Sequence, residues 1–289
     1  MSIISTPEGQ IHYQTTGQGR ETYLIFHGFG QNISYMLALE HWRTEDKKFI
    51  FIDFFYHGKS RWKNSMRKLT LDTWRKFIES LQRKENFEDF HLIGYSMGGK
   101  ISLLTFEIFS NQVKSMTLLA PDGIKTGLWY SMSSYPTFVH DIFKQVVFKP
   151  NRFFGLVNGL QSVGLLEKSL NKFVQNQLET RSQRAQAYLI WKIFSHLQPD
   201  LGLIIRLARN QKLPIWLFVG KYDKMVTEAN LRHFAQQHLE TSKSPSKSKS
   251  AATEEASFQF SNLSNPDIHR DNFPIDLKSL PLQLTSPRT

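Results

Sequence analysis

Residues 92 to 100 read LIGYSMGGK, and within them Gly94-Tyr95-Ser96-Met97-Gly98 fits the spacing G-x-S-x-G. A serine set between glycines in this way can serve as a nucleophile toward an acyl carbon. The pattern marks a strand-to-helix turn so sharp that its central residue takes a strained backbone conformation, and small neighbours let the two backbones pass. Such strain would hold the Ser96 hydroxyl up for attack. The same five residues also occur in Gly-rich loops that merely cap a strand, so the flanks decide. Upstream, Phe90-His91-Leu92-Ile93 is short and apolar, as a buried parallel strand should be. Downstream, Ile101, Leu104, Thr105 and Ile108 recur at helical spacing, and Ser102 is small enough for close packing on a sheet. Strand, sharp turn, helix is the context the chemistry requires.

The rest of the chain supplies elements to position that turn. Residues 10–14 and 22–26 read as opening strands, parted by the turn Thr16-Gly17-Gln18-Gly19. Residues 49–52, 113–120 and 214–219 read as further strands, and residues 33–42 and 70–81 as amphipathic helices. This alternation predicts an α/β fold: a mostly parallel sheet covered by helices, with ligands outside the carboxyl ends of the strands.

With 289 residues the chain can bury a full core as one large α/β domain, or one domain with an insertion. Hydrophobic content of 40% beside 21% charged residues is ordinary for a soluble globular protein. No apolar run approaches a membrane-spanning length, and the start MSIISTPEGQ lacks the layout of a signal peptide. The absence of cysteine excludes disulfides, thiolate metal sites and cysteine nucleophiles. The expected location is cytoplasmic. A formal net charge of +11 could favour anionic partners. The basic residues are scattered and no nucleic-acid motif accompanies them, so a generally basic surface is expected, with neither nucleic-acid binding nor stable membrane insertion.

Residues that could do further chemistry fall just after the strands. His27-Gly28-Phe29-Gly30 follows the second, Asp53-Phe54-Phe55-Tyr56-His57-Gly58-Lys59-Ser60 the third, Ser96 the fourth, and Gly220-Lys221-Tyr222-Asp223 the last clear one. With HG-x-G, D-x-x-x-HG-x-S, G-x-S-M-G-G and G-x-x-D in this order, the chain resembles the α/β-hydrolase superfamily, in its G-x-S-M-G-G serine hydrolase branch. The resemblance spans about residues 10 to 240. It implies Ser96 as nucleophile and Asp223 as the acid that orients a catalytic histidine. It also implies the main-chain N–H groups of Met97 and Phe29 as an oxyanion hole. His27, Gly28, Asp53 and His57 are implied to brace these loops rather than to exchange protons. No dinucleotide fingerprint or metal motif is present, so neither cofactor nor metal is expected. Dehalogenases and epoxide hydrolases of the family use an aspartate at the elbow, and Ser96 argues against both. Carbon–carbon bond hydrolases and cofactor-free haloperoxidases share the motif and stay open.

The core is expected at residues 1–123 and 210–240. Residues 124–209 interrupt it with helical stretches at 138–148, 168–178 and 183–196, rich in aromatic and aliphatic side chains. This is the family's lid position, and a helical lid there would exclude water and shape an apolar pocket.

A Ser-His-Asp device needs a base, and in this fold the chain order is Ser, Asp, His. Ten histidines are present, but only His233, His238 and His269 follow Asp223. The first two fall in a predicted helix at 227–239, which leaves His269 as the positional candidate. No glycine precedes it. From Thr241 the composition turns abruptly to TSKSPSKSKSAATEEAS, which has nothing to bury and reads as a flexible linker. Phe258-Gln259-Phe260 is the sole strand-like fragment beyond it. Residues 241–289 are therefore expected as an atypical, poorly ordered tail, without the family's final strand.

Two functional readings follow. One is a carboxylesterase-like serine hydrolase that cleaves an ester, thioester or related acyl bond of a small apolar substrate through Ser96, Asp223 and His269. The other is a weakly active or inactive protein of the same fold that binds an apolar ligand under its lid, because its histidine is missing or misplaced. Neither the substrate nor the oligomeric state is legible.

Overall fold

A computed structural model of the chain describes residues 2–63, 67–124, 154–155, 159, 178–220 and 258–263. The strands are Ser2–Ser5 (β1), Gly9–Thr16 (β2), Glu21–Phe26 (β3), Lys47–Ile52 (β4), Arg61–Trp62 (β5), Phe90–Tyr95 (β6), Val113–Leu119 (β7), Ile215–Gly220 (β8) and Phe258–Leu263 (β9). They form one sheet in the order β1-β2-β4-β3-β6-β7-β8-β9, with β5 paired to β2. From β4 to β9 every pairing is parallel, and β1, β2 and β5 close one side with antiparallel pairs. The architecture is thus α/β, a mostly parallel sheet covered by helices, as the sequence predicts.

Parallel strands covered on both faces read as continuous apolar runs. All six residues of β6 are buried, as are five of the six in β3. One face is packed by the helices Leu71–Glu85 (α2), Met97–Phe109 (α3) and Leu201–Asn210 (α5), where Trp74, Phe77, Ile101, Leu104, Ile204 and Ile205 join one core. The opposite face is packed by Ile33–Met36 (α1) and the 3-10 turn Leu37–Trp42. These set Ile33, Met36, Leu39 and Trp42 against Ile25, Phe51, Ile93 and Phe218. α2 begins where the Thr70 side chain accepts the Thr73 N–H and ends at Asn86 in the left-handed region (φ 53°).

Several readings need correcting in their bounds. The helix expected at 33–42 is α1 followed by a 3-10 turn. Among the elements not read from the sequence are β1, of four residues, and α5, whose cap signal lies at Pro199-Asp200, where the Asp200 side chain accepts the Leu203 N–H. Of the three helices expected between 124 and 209, the one at 183–196 is Arg181–Phe194 (α4), while 138–148 and 168–177 lie outside the described residues.

The main difference is at the far edge. A tail without a final strand is the sequence expectation, yet β9 runs parallel to β8 over six residue pairs, from Ile215↔Phe258 to Gly220↔Leu263. FQFSNL is short and half polar, and it draws on a main-chain ladder that side-chain periodicity does not report.

Register fixes where the strand ends lie. Phe26 is level with Ile52 on one side and Gly94 on the other, and Tyr95 is level with Leu119. The loops beginning at His27, Asp53, Ser96 and Ala120 therefore leave the sheet along one edge, and parallel β8 and β9 end on it too. No helix among the described residues is long and apolar enough to cross a membrane.

Candidate active site

Ser96 sits between β6 and α3 with φ 51° and ψ −115°. A side-chain-bearing residue rarely adopts positive φ, which costs about 1–3 kcal/mol unless the surroundings impose it. Here they do. The Ser96 N–H donates to Leu119 O at 2.9 Å, and the Ser96 carbonyl accepts from Gly99 N at 2.8 Å and Asp122 N at 2.9 Å. The flanking glycines are demanded by space. A Cβ on Gly94 would lie 2.4 Å from Gly98 O, and one on Gly98 would lie 2.3 Å from Phe26 O. The elbow is thus pressed directly onto the end of β3.

That contact brings the 27–30 turn beside it. A Cβ on Gly28 would lie 2.9 Å from the Tyr95 ring, and one on Gly98 2.8 Å from His27 O. Met97 opens α3, so its N–H is among those with no intrahelical acceptor. The Gly28 N–H is taken by Gln31 Oε1 at 2.9 Å and the Gly30 N–H by His57 Nε2 at 3.1 Å. Of the three residues sequence reasoning assigns to this edge among the described ones, Ser96, Met97 and Phe29 all lie here. Asp223 and His269 lie outside the described residues; the strands that precede them, β8 and β9, run toward this edge.

Two buried histidines brace the turn. His27 Nδ1–H donates to Gly28 O at 2.7 Å, and its Nε2 accepts Phe54 N–H at 3.1 Å. His57 Nδ1–H donates to Phe55 O at 2.9 Å while its Nε2 accepts the Gly30 N–H. Each ring meets a carbonyl on one side and an N–H on the other, which selects the neutral Nδ1–H tautomer. Burial, with repulsion from His57 added, holds His27 well below the usual imidazole value. Burial likewise pushes His57 down to about 4.

Asp53 is equally committed. Its Oδ2 accepts from His12 Nδ1 at 2.7 Å and Lys59 N at 3.2 Å, and its Oδ1 from Ile33 N at 2.8 Å. With their polar atoms used in this way, Asp53 and His57 act as struts between loops.

α4 lies across these loops. Gln186 Nε2 donates to the carbonyl of Tyr56 at 2.5 Å, Leu69 N donates to Ile193 O at 3.2 Å, and Phe194 meets Phe54 with ring centroids 5.9 Å apart. Ala187 and Leu178 pack with Phe29. The wall beside Phe29 is therefore apolar.

Two charged groups beside the elbow escaped sequence reasoning, the buried Lys100 and the partly buried Asp122. The one available signal was a lysine inside the otherwise apolar first turn of MGGKISLL. Burial pulls the Lys100 ammonium below its usual range, opposed by Asp122, and lifts the Asp122 carboxyl, opposed by Lys100. Among the described residues no cluster of three or more His, Asp or Glu is arranged to hold a metal. What the assembled groups offer is a serine held on a strained turn at the N-terminus of α3, whose first N–H groups have no intrahelical acceptor.

A family model described as alpha/beta hydrolase fold matches residues 23–252. Among solved structures, an alpha/beta hydrolase enzyme from a Medee basin deep-sea metagenome library is similar over 82% of this chain and 85% of its own, at 17% identity and a TM-score of 0.58. A thermophilic esterase from Thermogutta terrifontis matches over 82% and 86%, at 14% identity and a TM-score of 0.57. A carboxylesterase structure from Nitrososphaera gargenis matches over 92% of each chain, at 14% identity and a TM-score of 0.60. Among curated proteins, a dihydrolipoyllysine-residue acetyltransferase component of an acetoin cleaving system from Pseudomonas putida is 26% identical over 112 residues. That match covers 39% of this chain and 30% of the relative, under a third of its length.

Proposed function

The chain belongs to the alpha/beta hydrolase family, and from that premise we propose that it is a serine hydrolase which cleaves an ester, thioester or related acyl bond through an acyl-enzyme on Ser96. The observation that carries the reading is Ser96 at φ 51°, seated on the end of β3 beside Met97 and Phe29. In the first half-reaction Ser96 Oγ bonds to the acyl carbon, its proton passes to the base, and the carbonyl oxygen becomes an oxyanion facing the Met97 and Phe29 N–H groups. Collapse breaks the bond to the alcohol or thiol, which takes the proton from the base. Water then attacks the acyl carbon by the same route, releasing the acid and restoring the serine. A preorganised donor of this kind is worth about 2.7–4 kcal/mol to the transition state. His269 is assigned as base and Asp223 as the acid that orients it, because each follows in the sequence a strand, β9 or β8, that runs to the edge where Ser96 lies.

The apolar side chains of Phe29, Leu178 and Ala187 favour a small apolar acyl group. An aspartate-nucleophile reaction is disfavoured by the serine at the elbow. The Ser/Lys-rich stretch from Thr241 supports a second reading, in which the base is not delivered and the protein binds an apolar ligand without turnover. One experiment separates them: fluorophosphonate treatment followed by mass spectrometry. An adduct on Ser96, with hydrolysis of short p-nitrophenyl esters that Ser96→Ala abolishes, is the expected result. An unlabelled Ser96 in folded protein favours the second reading, and an adduct elsewhere overturns the assignment.

A further inference from the structure

The peptide that joins Ser96 to Met97 is one rigid plane, with its carbonyl on one edge and the Met97 N–H on the other. In a trans peptide these two groups point in opposite directions, so whatever fixes the carbonyl also aims the N–H. Three donors meet the Ser96 carbonyl: Gly99 N at 2.8 Å, Asp122 N at 2.9 Å and, more weakly, Lys100 N at 3.4 Å. Gly99 and Lys100 belong to α3's own first turn. Asp122 comes from elsewhere, in the loop after β7.

That loop is seated on the turn by packing and charge together. A Cβ on Gly99 would lie 2.6 Å from Pro121 Cβ, and one on Gly123, at φ +95°, would lie 3.1 Å from Lys100 Cβ. The Asp122 carboxylate accepts the Gly123 N–H at 2.7 Å. It also interacts electrostatically with the Lys100 ammonium, whose side chain is only 5% exposed. The ammonium reaches Phe194 O at 3.4 Å, at the last residue of α4. Burying the Lys100 ammonium opposes folding, and an apolar side chain of similar volume commonly fills such a site with equal or better stability. Retaining the charge there points to a task other than stability.

We infer that Lys100 and Asp122 are positioning residues for the oxyanion hole: the packing of Lys100 on Gly123, aided by the attraction between the Lys100 ammonium and the Asp122 carboxylate, seats residues 120–123 on the elbow, so that the Asp122 N–H holds the Ser96 carbonyl and thereby aims the Met97 N–H. Hydrogen bonds accepted by a carbonyl also polarise the N–H of the same peptide, which strengthens it as a donor. Through Phe194 O the end of α4 joins the same assembly. The inference rests on the reading of Ser96 as nucleophile.

The test uses the full chain and two readouts. Asp122→Asn keeps the side-chain size and an acceptor for Gly123 N–H but removes the charge. The double variant Lys100→Leu with Asp122→Asn removes both charges, so no lone buried charge remains if the single variant folds poorly. In protein labelled with ¹⁵N-methionine, the Met97 amide resonance, assigned by its loss in Met97→Leu, is expected to shift more than those of the other methionines. Turnover of p-nitrophenyl esters is expected to fall about tenfold, less than the 10²–10³ of losing a donor outright, with KM within about twofold. Affinity for a trifluoromethyl ketone, which mimics the tetrahedral intermediate, should fall in step with kcat/KM. An unmoved Met97 amide, or unchanged kcat and ketone affinity in folded variants, overturns the inference. Turnover that survives Ser96→Ala defeats the functional reading itself, and the inference falls with it whatever the Met97 amide does.

Discussion

His57 and Gly30 are joined by a hydrogen bond in which the imidazole Nε2 accepts the Gly30 N–H at 3.1 Å. A ring that is 1% exposed thus holds the residue next to Phe29. The histidine that sequence inspection could mistake for a base is a strut for the turn beside Ser96.

Replacing that strut should loosen the turn. His57→Ala leaves the Gly30 N–H and Phe55 carbonyl short of partners, a loss of about 1–3 kcal/mol for each unsatisfied buried group. The outcome to look for is a lower urea midpoint together with at least tenfold slower ester hydrolysis. His57→Gln, which restores a donor and an acceptor, should recover part of both. Full activity in His57→Ala would show that the turn keeps its shape without the ring.

Stability should fall in mild acid. His27 and His57 are held below the unfolded value of about 6.5, and His57 down to about 4. Between these values the unfolded chain binds more protons than the folded one, so the stabilisation is complete above about pH 6.5 and drains away as pH falls toward 4. Each such histidine contributes up to about 1.4 kcal/mol per pH unit in that window. His91, also pushed down to about 4 by burial, adds to the slope. Urea unfolding at pH 7, 6 and 5 measures it, and His57→Gln should flatten the slope. An identical slope in that variant assigns the acid sensitivity to other groups.

Relieving the strain at the elbow should separate stability from chemistry. Glycine accepts positive φ without penalty, so Ser96→Gly is expected to raise stability by about 1 kcal/mol while abolishing fluorophosphonate labelling. Gly98→Ala should do the opposite to the fold, since its Cβ would meet the main-chain Phe26 O at 2.3 Å. Overpacking against backbone costs about 1–3 kcal/mol or more. Thermal melts of the two variants should move in opposite directions.

The two ends of the proposed triad are tested by Asp223→Asn and His269→Ala. Each is expected to keep the fold and lose turnover, by up to about 10⁴-fold for Asp223→Asn if the histidine tautomer is lost. Truncation after Glu240 should differ, because it removes β9 and its ladder with β8, and both melting temperature and turnover should drop. Wild-type turnover in His269→Ala sends the search for a base to another residue.

Much of this was legible because buried parallel strands announce themselves. KKFIFI and FHLIGY are near-continuous apolar runs, and G-x-S-x-G names its own turn. The pairing of His57 with Gly30 was not legible, since it depends on loops 27 residues apart in the chain meeting across the sheet edge. The role of Asp122 was hidden for a related reason: its main-chain N–H, the group that touches Ser96, is common to all residues except proline. Of β9 only the fragment Phe258-Gln259-Phe260 was legible, and its pairing with β8 was not, because a short edge strand next to a polar linker draws its pairing from backbone, and backbone leaves no compositional trace.

The position of β9 at the end of the sheet order also bears on how the chain is made. β1 and β2 pair as near neighbours in sequence, so that edge is covered as soon as both have emerged from a ribosome. β8 waits for a partner that begins at Phe258. Until it arrives, a nascent chain carries the bare N–H and C=O row of an apolar strand, the template on which misassembly between chains starts. The Ser/Lys-rich stretch between the two strands keeps that interval charged and hydrated, which favours solubility over collapse onto a neighbour while the last strand is still being made.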